Sequence, residues 1–157
     1  MRVRLCAVGR IPPRDPERAL VDDYLKRAGA AGRRLGLTAF EEQEVDGRRH
    51  SGAEAEGAAL LALVPAGSAL VALDERGRLL SSTGLAAQLA TWRDTGRPAA
   101  TFLIGGADGL DPALRERADL VLSFGPMVWP HALARVMLAE QLYRATQILS
   151  GTPYHRA

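Results

Sequence analysis

The hydrophobic positions of this chain fall into short strand-like runs that alternate with longer stretches of helical period. The runs predict five strands, at residues 2–8, 37–45, 69–74, 99–105 and 120–124. Three of them are continuous apolar runs, which is typical of strands covered on both faces by helices. The pattern therefore predicts an α/β fold, a parallel-sheet α/β sandwich.

Amphipathic stretches between these runs predict five helices, at residues 16–31, 53–63, 82–94, 112–117 and 130–149. Residue types suited to helix starts mark several of them. Ser82 or Thr83 is expected to cap the third helix, and Asp111 precedes Pro112 at the start of the fourth. In the last and longest helix, Glu140 and Arg144 form an i,i+4 pair in the favourable order.

The length of the chain and its patterning indicate one domain that spans residues 1–157. The connections are too short to be interdomain linkers, and a domain of this size buries enough surface to need no crosslink. Cys6 is the single cysteine and lies in an apolar run, so no internal disulfide is expected. Neither it nor the three histidines have metal-ligand spacing, and we expect no metal site.

No stretch approaches the roughly 18 consecutive apolar residues of a membrane span, and the amino-terminal residues do not resemble a signal peptide. We therefore expect a cytoplasmic protein with no membrane association.

Arginine supplies nearly all of the positive charge. The chain carries 20 Lys and Arg against 18 Asp and Glu, for a formal net charge of +2, and Lys26 is its only lysine. Arginine's planar fork suits phosphates and guanine edges, which is compatible with nucleic-acid binding. A GC-rich genome would produce the same composition, so charge alone does not decide between the two.

A glycine cluster, residues 104–109 (IGGADG), follows the fourth predicted strand. Glycines at a strand's carboxyl end let the backbone approach a ligand, and ligands bind at that end in open α/β sheets. The segment has neither dinucleotide-fold nor phosphate-loop spacing, and a plain tight turn is the alternative.

The loop at residues 123–131 (SFGPMVWPH) is unusually apolar for a connection. It is either tucked into the core or wraps a flat, partly apolar ligand such as an adenine. Met127 could equally fill a gap in the core, and His131 could be a solvated residue near the helix start.

The chain ends in an aromatic residue, an imidazole and a guanidinium: Tyr154, His155 and Arg156. These three could stack on a base, move a proton and hold a phosphate. With Arg135 and Arg144 they indicate a modest basic face. The alternative is a frayed terminus.

Three segments, residues 71–74 (VALD), 102–110 (FLIGGADGL) and 129–156, resemble the RlmH family. These are SPOUT-class, S-adenosylmethionine-dependent methyltransferases of bacterial large-subunit ribosomal RNA. The resemblance implies methyl transfer to N3 of a pseudouridine in a hairpin loop of the 23S rRNA, on assembled ribosomes. It also implies a homodimer and a C-terminal part threaded as a deep trefoil knot.

The same resemblance implies roles for individual residues. The S-adenosylmethionine pocket would be lined by nine of them: Leu73, Gly105, Gly106, Phe124, Gly125, Pro126, Met127, Val128 and Trp129. His155 would take or relay the acceptor's proton, Arg156 would steady developing charge or a phosphate, and Tyr154 would position the tail or stack on a base.

Two other classes of protein remain open at this stage. A non-catalytic RNA- or ribosome-binding module with the same fold would bind RNA without S-adenosylmethionine. A different α/β enzyme would bind a nucleotide or flavin instead. Because nonspecific RNA affinity comes from neutralised phosphates, a net charge of +2 predicts weak binding to free RNA and a need for a composite ribosomal surface.

Overall fold

Five parallel strands form one sheet in the order β2-β1-β4-β3-β5 in the computed structural model, which describes residues 1–156. The strands are β1 (Arg2–Val8), β2 (Ala39–Val45), β3 (Ala69–Leu79), β4 (Ala99–Ile104) and β5 (Leu120–Ser123). The helices are α1 (Pro16–Gly32), α2 (Gly52–Leu61), α3 (Ser82–Asp94), α4 (Pro112–Arg117) and α5 (His131–Leu149). Short 3-10 turns occupy Arg33–Leu35 and Gly47–Arg49. The predicted α/β class and all ten elements are confirmed.

Helices cover both faces of the sheet and divide the core in two. On one face, α1, α3 and α5 bury side chains such as Val21, Leu89 and Leu142. On the other, α2 and α4 contribute Leu60 and Leu114. Every residue of the central strand β4 is buried. This two-sided burial explains why the sequence shows continuous apolar runs there instead of alternation.

The third strand is longer than predicted. It continues past Asp74 to Leu79, and its pairing with β5 shifts register between Leu73 and Arg78. At Gly77, in that irregular stretch, a Cβ atom would lie 2.6 Å from the carbonyl oxygen of Val121. Only glycine allows the backbones of β3 and β5 to approach this closely. Because Gly77 permits this approach, the largely polar and charged segment 74–79 can still pair with the sheet.

Two helix starts differ in detail from the prediction. The cap of α3 is Ser81, whose hydroxyl accepts a hydrogen bond from the Gly84 amide at 3.0 Å, and not Ser82 or Thr83. The capping residue must have extended backbone, which Ser81 has and the first helical residues do not. The Asp111 cap of α4 is confirmed by a bond from the Ala113 amide at 3.0 Å.

Because all five strands are parallel, their carboxyl ends lie along one edge of the sheet, and the loops that follow them meet there. In open sheets of this kind ligands bind at that edge. The trefoil knot is a property of chain threading and stays a prediction.

Candidate active site

A cavity of about 540 Å³ opens between the irregular stretch of β3 and the carboxyl ends of β4 and β5. Eight of the nine predicted cofactor residues line it: Leu73, Gly105, Gly106, Phe124, Gly125, Met127, Val128 and Trp129. Pro126 lies in the same loop but does not line the cavity. Two loops that are distant in sequence, and that were identified for different reasons, therefore form the walls of a single site.

The glycine cluster forms a tight turn along one wall. The Gly109 amide donates to the Gly106 carbonyl at 3.0 Å, and Gly109 has φ of 77°. A Cβ atom on Gly105 would lie 2.6 Å from the backbone of Gly109, whereas one on Gly106 would lie 2.9 Å from the carboxylate of Glu56. The turn is thus closed against its own backbone at Gly105, a position that no larger residue can occupy without movement of the loop.

An ion pair holds α4 against the irregular stretch of the third strand. Arg115 Nη1 lies 2.7 Å from Asp74 Oδ2, and Asp74 Oδ1 accepts from the Arg76 amide at 2.9 Å. Burial favours a higher pKa for Asp74, but hydrogen bonds from Arg76 and Arg115 outweigh it and hold the pKa below its usual value. Sequence reasoning did not place either residue here, although an aspartate that follows a buried apolar run is a signal for a residue at the ligand edge.

The tip of the apolar loop is not tucked into the core, so Met127 does not fill a gap there. Met127 is 68% exposed and Val128 is 85% exposed. Ser123 fixes the base of the loop. Its hydroxyl accepts a hydrogen bond from the Gly125 amide at 3.0 Å and donates one to the Glu75 carbonyl at 3.1 Å. Within residues 1–156, no protein group accepts a hydrogen bond from the amides of Met127, Val128 or Trp129. The loop thus lines the cavity with apolar residues, and these three amides lack an acceptor among the described residues.

The first turn of α5 completes the wall with His131, which is exposed. Partial burial and the nearby positive charge of Arg135 lower the pKa of His131, and Glu44 opposes them only in part. The imidazole is therefore favoured in its neutral form at neutral pH.

Arg135 is fully buried, so the prediction that it contributes to a basic surface is wrong. Its Nη1 atom lies 2.7 Å from Glu44 Oε2 and 3.1 Å from Glu42 Oε1, and its Nη2 atom donates to the carbonyls of Val8 and Gly9. The side chain ties α5 to the ends of β1 and β2. Periodicity did not reveal this role, because a lone arginine in an amphipathic helix has the same pattern whether it is solvated or buried with carboxylates.

The carboxy-terminal residues lie against α5 and not at the cavity of the same chain. The Tyr154 hydroxyl donates to Glu140 Oε1 at 3.0 Å, and its ring packs edge-on against Tyr143 with centroids 4.8 Å apart. Burial, and then the bond to Glu140, raise the pKa of Tyr154 to about 12. His155 Nδ1 lies 3.4 Å from Arg144 Nη1. The segment is docked, so the frayed-terminus alternative does not apply to it, while the catalytic roles of its residues stay predictions.

The expected Glu140–Arg144 pair is present, with 2.7 Å between Arg144 Nη2 and Glu140 Oε1. Across the part of the chain that the structure describes, no three His, Cys, Asp or Glu side chains gather as metal ligands would. None of the helices described combines the length and apolarity that a membrane crossing requires.

The sequence comparisons identify the family. A family model described as a predicted SPOUT methyltransferase matches residues 1–155. The chain belongs to the SPOUT methyltransferase family. It is 60% identical to ribosomal RNA large subunit methyltransferase H of Cereibacter sphaeroides and 57% identical to that of Paracoccus denitrificans. Each alignment covers 99% of this chain and 99% of the relative.

The resemblance to the RlmH family, and the assignment as a methyltransferase, are thereby confirmed. A solved structure, that of the SpoU methyltransferase AviRb from Streptomyces viridochromogenes in complex with the cofactor AdoMet, overlaps more loosely. Its TM-score is 0.41 at 17% identity, over 97% of this chain and 58% of that one. The family assignment rests on the sequence matches.

Proposed function

We propose that this SPOUT methyltransferase transfers a methyl group from S-adenosylmethionine to N3 of a pseudouridine in a hairpin loop of 23S ribosomal RNA. The observation that carries the proposal is the cavity, in which the irregular stretch of β3 and the loops after β4 and β5 meet. The relatives, named ribosomal RNA large subunit methyltransferases, support the substrate class. The resemblance described above supplies the nucleotide position.

The residues of the cavity fit S-adenosylmethionine. Its volume of about 540 Å³ lies within the range of roughly 300–1,000 Å³ that is usual for small-molecule sites. Gly105 and Gly106 line the cavity as part of a tight turn, and the exposed side chains of Met127 and Val128 supply apolar surface. The free amides of the same loop match the hydrogen-bonding edge of an adenine. When bound, the cofactor supplies an electrophilic methyl group, so the protein's work is mainly to align the acceptor.

The acceptor requires help because N3 of neutral pseudouridine carries a proton, and the nitrogen attacks well only as that proton leaves. In the proposal, His155 takes or relays the proton, Arg156 steadies the developing negative charge or a phosphate, and Tyr154 orients the segment. Tyr154 and His155 lie on the α5 surface of their own chain, and none of the three residues lines its cavity. The carboxy-terminal segment of a second copy therefore completes each site.

A homodimer also accounts for the apolar rim of the cavity. Met127 and Val128 are mostly exposed, and Trp129 and Leu133 beside them are exposed by 39% and 40%. Large apolar side chains grouped in this way are typical of a surface that another protein covers. We propose that a second copy covers this rim, and that the knotted C-terminal part forms the core of the interface.

The first test is calorimetric titration of the purified protein with S-adenosylmethionine, with NAD and FMN as controls and light scattering for the oligomeric state. We expect micromolar binding of S-adenosylmethionine alone, by a dimer. If S-adenosylmethionine binds neither alone nor with ribosomes present, the protein is instead an RNA-binding module that has lost catalysis. Binding of NAD or FMN in its place would indicate a different α/β enzyme.

The second test compares substrates. Ribosomes that lack the modification, their free 23S rRNA and a short hairpin are each incubated with radiolabelled S-adenosylmethionine, and the modified nucleoside is located by mass spectrometry. Because the chain's net charge of +2 gives weak attraction to free RNA, we expect assembled ribosomes to react fastest. If the naked hairpin is methylated as fast as ribosomes, the proposal that the assembled ribosome in the cytoplasm is the partner is contradicted.

A further inference from the structure

Two arginine-bearing turns follow β1 and β2 at the same edge of the sheet as the cavity. Arg10 and Arg14 lie in the loop that joins β1 to α1, and both are exposed. Arg48 and Arg49 lie in the 3-10 turn Gly47–Arg49, and their side chains are 83% and 82% exposed. We name these four residues the arginine turns. The catalytic proposal above gives none of them a task.

The arginine turns adjoin the cavity through shared neighbours. The Gly9 amide donates to the Val45 carbonyl at 2.8 Å, which holds the two turns side by side. A Cβ atom on Gly47 or on Gly106 would lie 3.2 Å from the same methyl group of Val8, so one turn flanks the glycine wall of the cavity. On the other side, a Cβ atom on Gly9 would lie 3.3 Å from the ring of His131, which lines the cavity.

The charges in the arginine turns are available to a partner. Asp46 organises its turn by accepting from the Arg48 amide at 3.1 Å, and it also lies 3.2 Å from Arg48 Nε and 3.8 Å from Arg49 Nε. One carboxylate thus faces two guanidinium groups. Over residues 1–156, Arg10 and Arg14 form no ion pair. Exposed arginines of this kind add little to folding stability, so a structural role does not explain them.

From this placement we propose that the arginine turns bind the phosphate backbone of the substrate RNA next to the nucleotide held in the cavity. Guanidinium groups bind phosphates through paired hydrogen bonds, and such contacts fix register without reading sequence. This inference rests on the proposed function, since it assumes an RNA substrate at this cavity. It adds the surface by which that substrate is held.

The chain contains a matched control for this inference. Arg33 and Arg34 are adjacent and exposed in a 3-10 turn, as Arg48 and Arg49 are, but their turn precedes β2 and therefore lies at the opposite edge of the sheet. The double variants Arg48→Gln/Arg49→Gln and Arg33→Gln/Arg34→Gln remove the same charge from the two edges. Arg10→Gln/Arg14→Gln tests the second half of the surface.

Methyl transfer to ribosomes is measured for each variant as a function of ribosome concentration and of salt, and S-adenosylmethionine affinity is measured by calorimetry. For Arg48→Gln/Arg49→Gln we expect KM for ribosomes to rise roughly tenfold or more at about 0.1 M salt. The slope of log affinity against log salt should fall by roughly 1.4–1.8, the value for two phosphate contacts. Affinity for S-adenosylmethionine should not change, and Arg33→Gln/Arg34→Gln should behave as the wild type.

The opposite results are distinguishable. Equal loss in the two double variants would mean that only overall charge matters, and an unchanged KM and slope in Arg48→Gln/Arg49→Gln would show that its turn binds no phosphate. A raised KM with an unchanged salt slope would indicate a ribosomal protein as the partner. Each of these overturns the inference while leaving the proposed function intact. If the wild type methylates no ribosomal RNA, the proposed function fails and the inference fails with it.

Discussion

The buried guanidinium of Arg135 gives the most demanding test of how this fold is held together. The substitution Arg135→Met keeps a long side chain of similar reach and removes the charge. It leaves Glu42 and Glu44 facing the space that the guanidinium occupied, and leaves the carbonyls of Val8 and Gly9 without this donor.

The expected loss follows from what each carboxylate retains. Removing one partner of a buried ion pair costs about 3–5 kcal/mol because the remaining charge is uncompensated. Glu42 keeps its ion pair with Arg18, and the Glu44 side chain is 24% exposed, so part of the penalty is relieved. We therefore expect the lower end of this range, about 3 kcal/mol.

Urea unfolding at one fixed protein concentration measures this loss. With a denaturant dependence of about 1–3 kcal/mol per molar urea, the midpoint should fall by roughly 1–3 M. Arg27→Met is the matched control, since it breaks an ion pair with Asp23 between side chains that are 54% and 49% exposed. The control should lose no more than about 1 kcal/mol.

A second variant separates charge from packing. In Arg135→Met/Glu44→Gln one stranded carboxylate is neutralised, so the double variant should regain part of the stability lost by Arg135→Met. If Arg135→Met costs no more than Arg27→Met, or if neutralising Glu44 restores nothing, then the buried ion cluster is not what secures α5 to the ends of β1 and β2.

Three further predictions concern the cavity and the carboxy-terminal segment. Gly105→Ala should weaken S-adenosylmethionine binding by about tenfold or more in calorimetry, since its Cβ would meet backbone and overpacking costs about 1–3 kcal/mol. In Gly106→Ala the new Cβ meets side-chain atoms of Glu56 and Val8 and no backbone, so this variant should lose less; equal losses would contradict this account of the loop. Because the pKa of His131 is lowered in the folded state, the unfolded state binds the proton more readily. The contribution of neutral His131 to the free energy of unfolding should be fully present above about pH 6.5 and should be lost as the pH falls toward the lowered pKa of the folded state. Urea titrations at several pH values measure this loss, which should be absent in His131→Gln. The phenol of Tyr154 should titrate near pH 12 in ultraviolet difference spectra against Tyr154→Phe, and a midpoint near 10 would mean that the hydroxyl is not held by Glu140.

Much of the site could be predicted from the sequence. Composition and periodicity located the glycine cluster and the apolar loop, because both violate the usual chemistry of a connection: one has too many glycines and the other too many large apolar residues. Parallel strand order then implied that they meet at one edge. The family resemblance added Leu73 and the identity of the cofactor, which no pattern of hydrophobic residues contains.

Other residues could not be placed in this way. Asp74 and Arg115 are 41 positions apart, and nothing local indicates that they pair. Arg135 contacts carboxylates 91 and 93 positions away, on β2. Its buried state depends entirely on where α5 crosses the sheet, so the same residue that suggested a basic surface proved to belong to the interior.

The sequence by itself therefore determined the class of fold, the ten elements and the two loops that form the cavity. Those features are set locally, by periodicity, turn residues and the burial of strands on both faces. Only the tertiary structure decided which charges are buried together, that the apolar loop is exposed, and that Tyr154 and His155 dock on α5 away from their own cavity. These depend on contacts between distant parts of the chain, where the balance of desolvation and pairing is fixed by geometry that residue order does not encode directly.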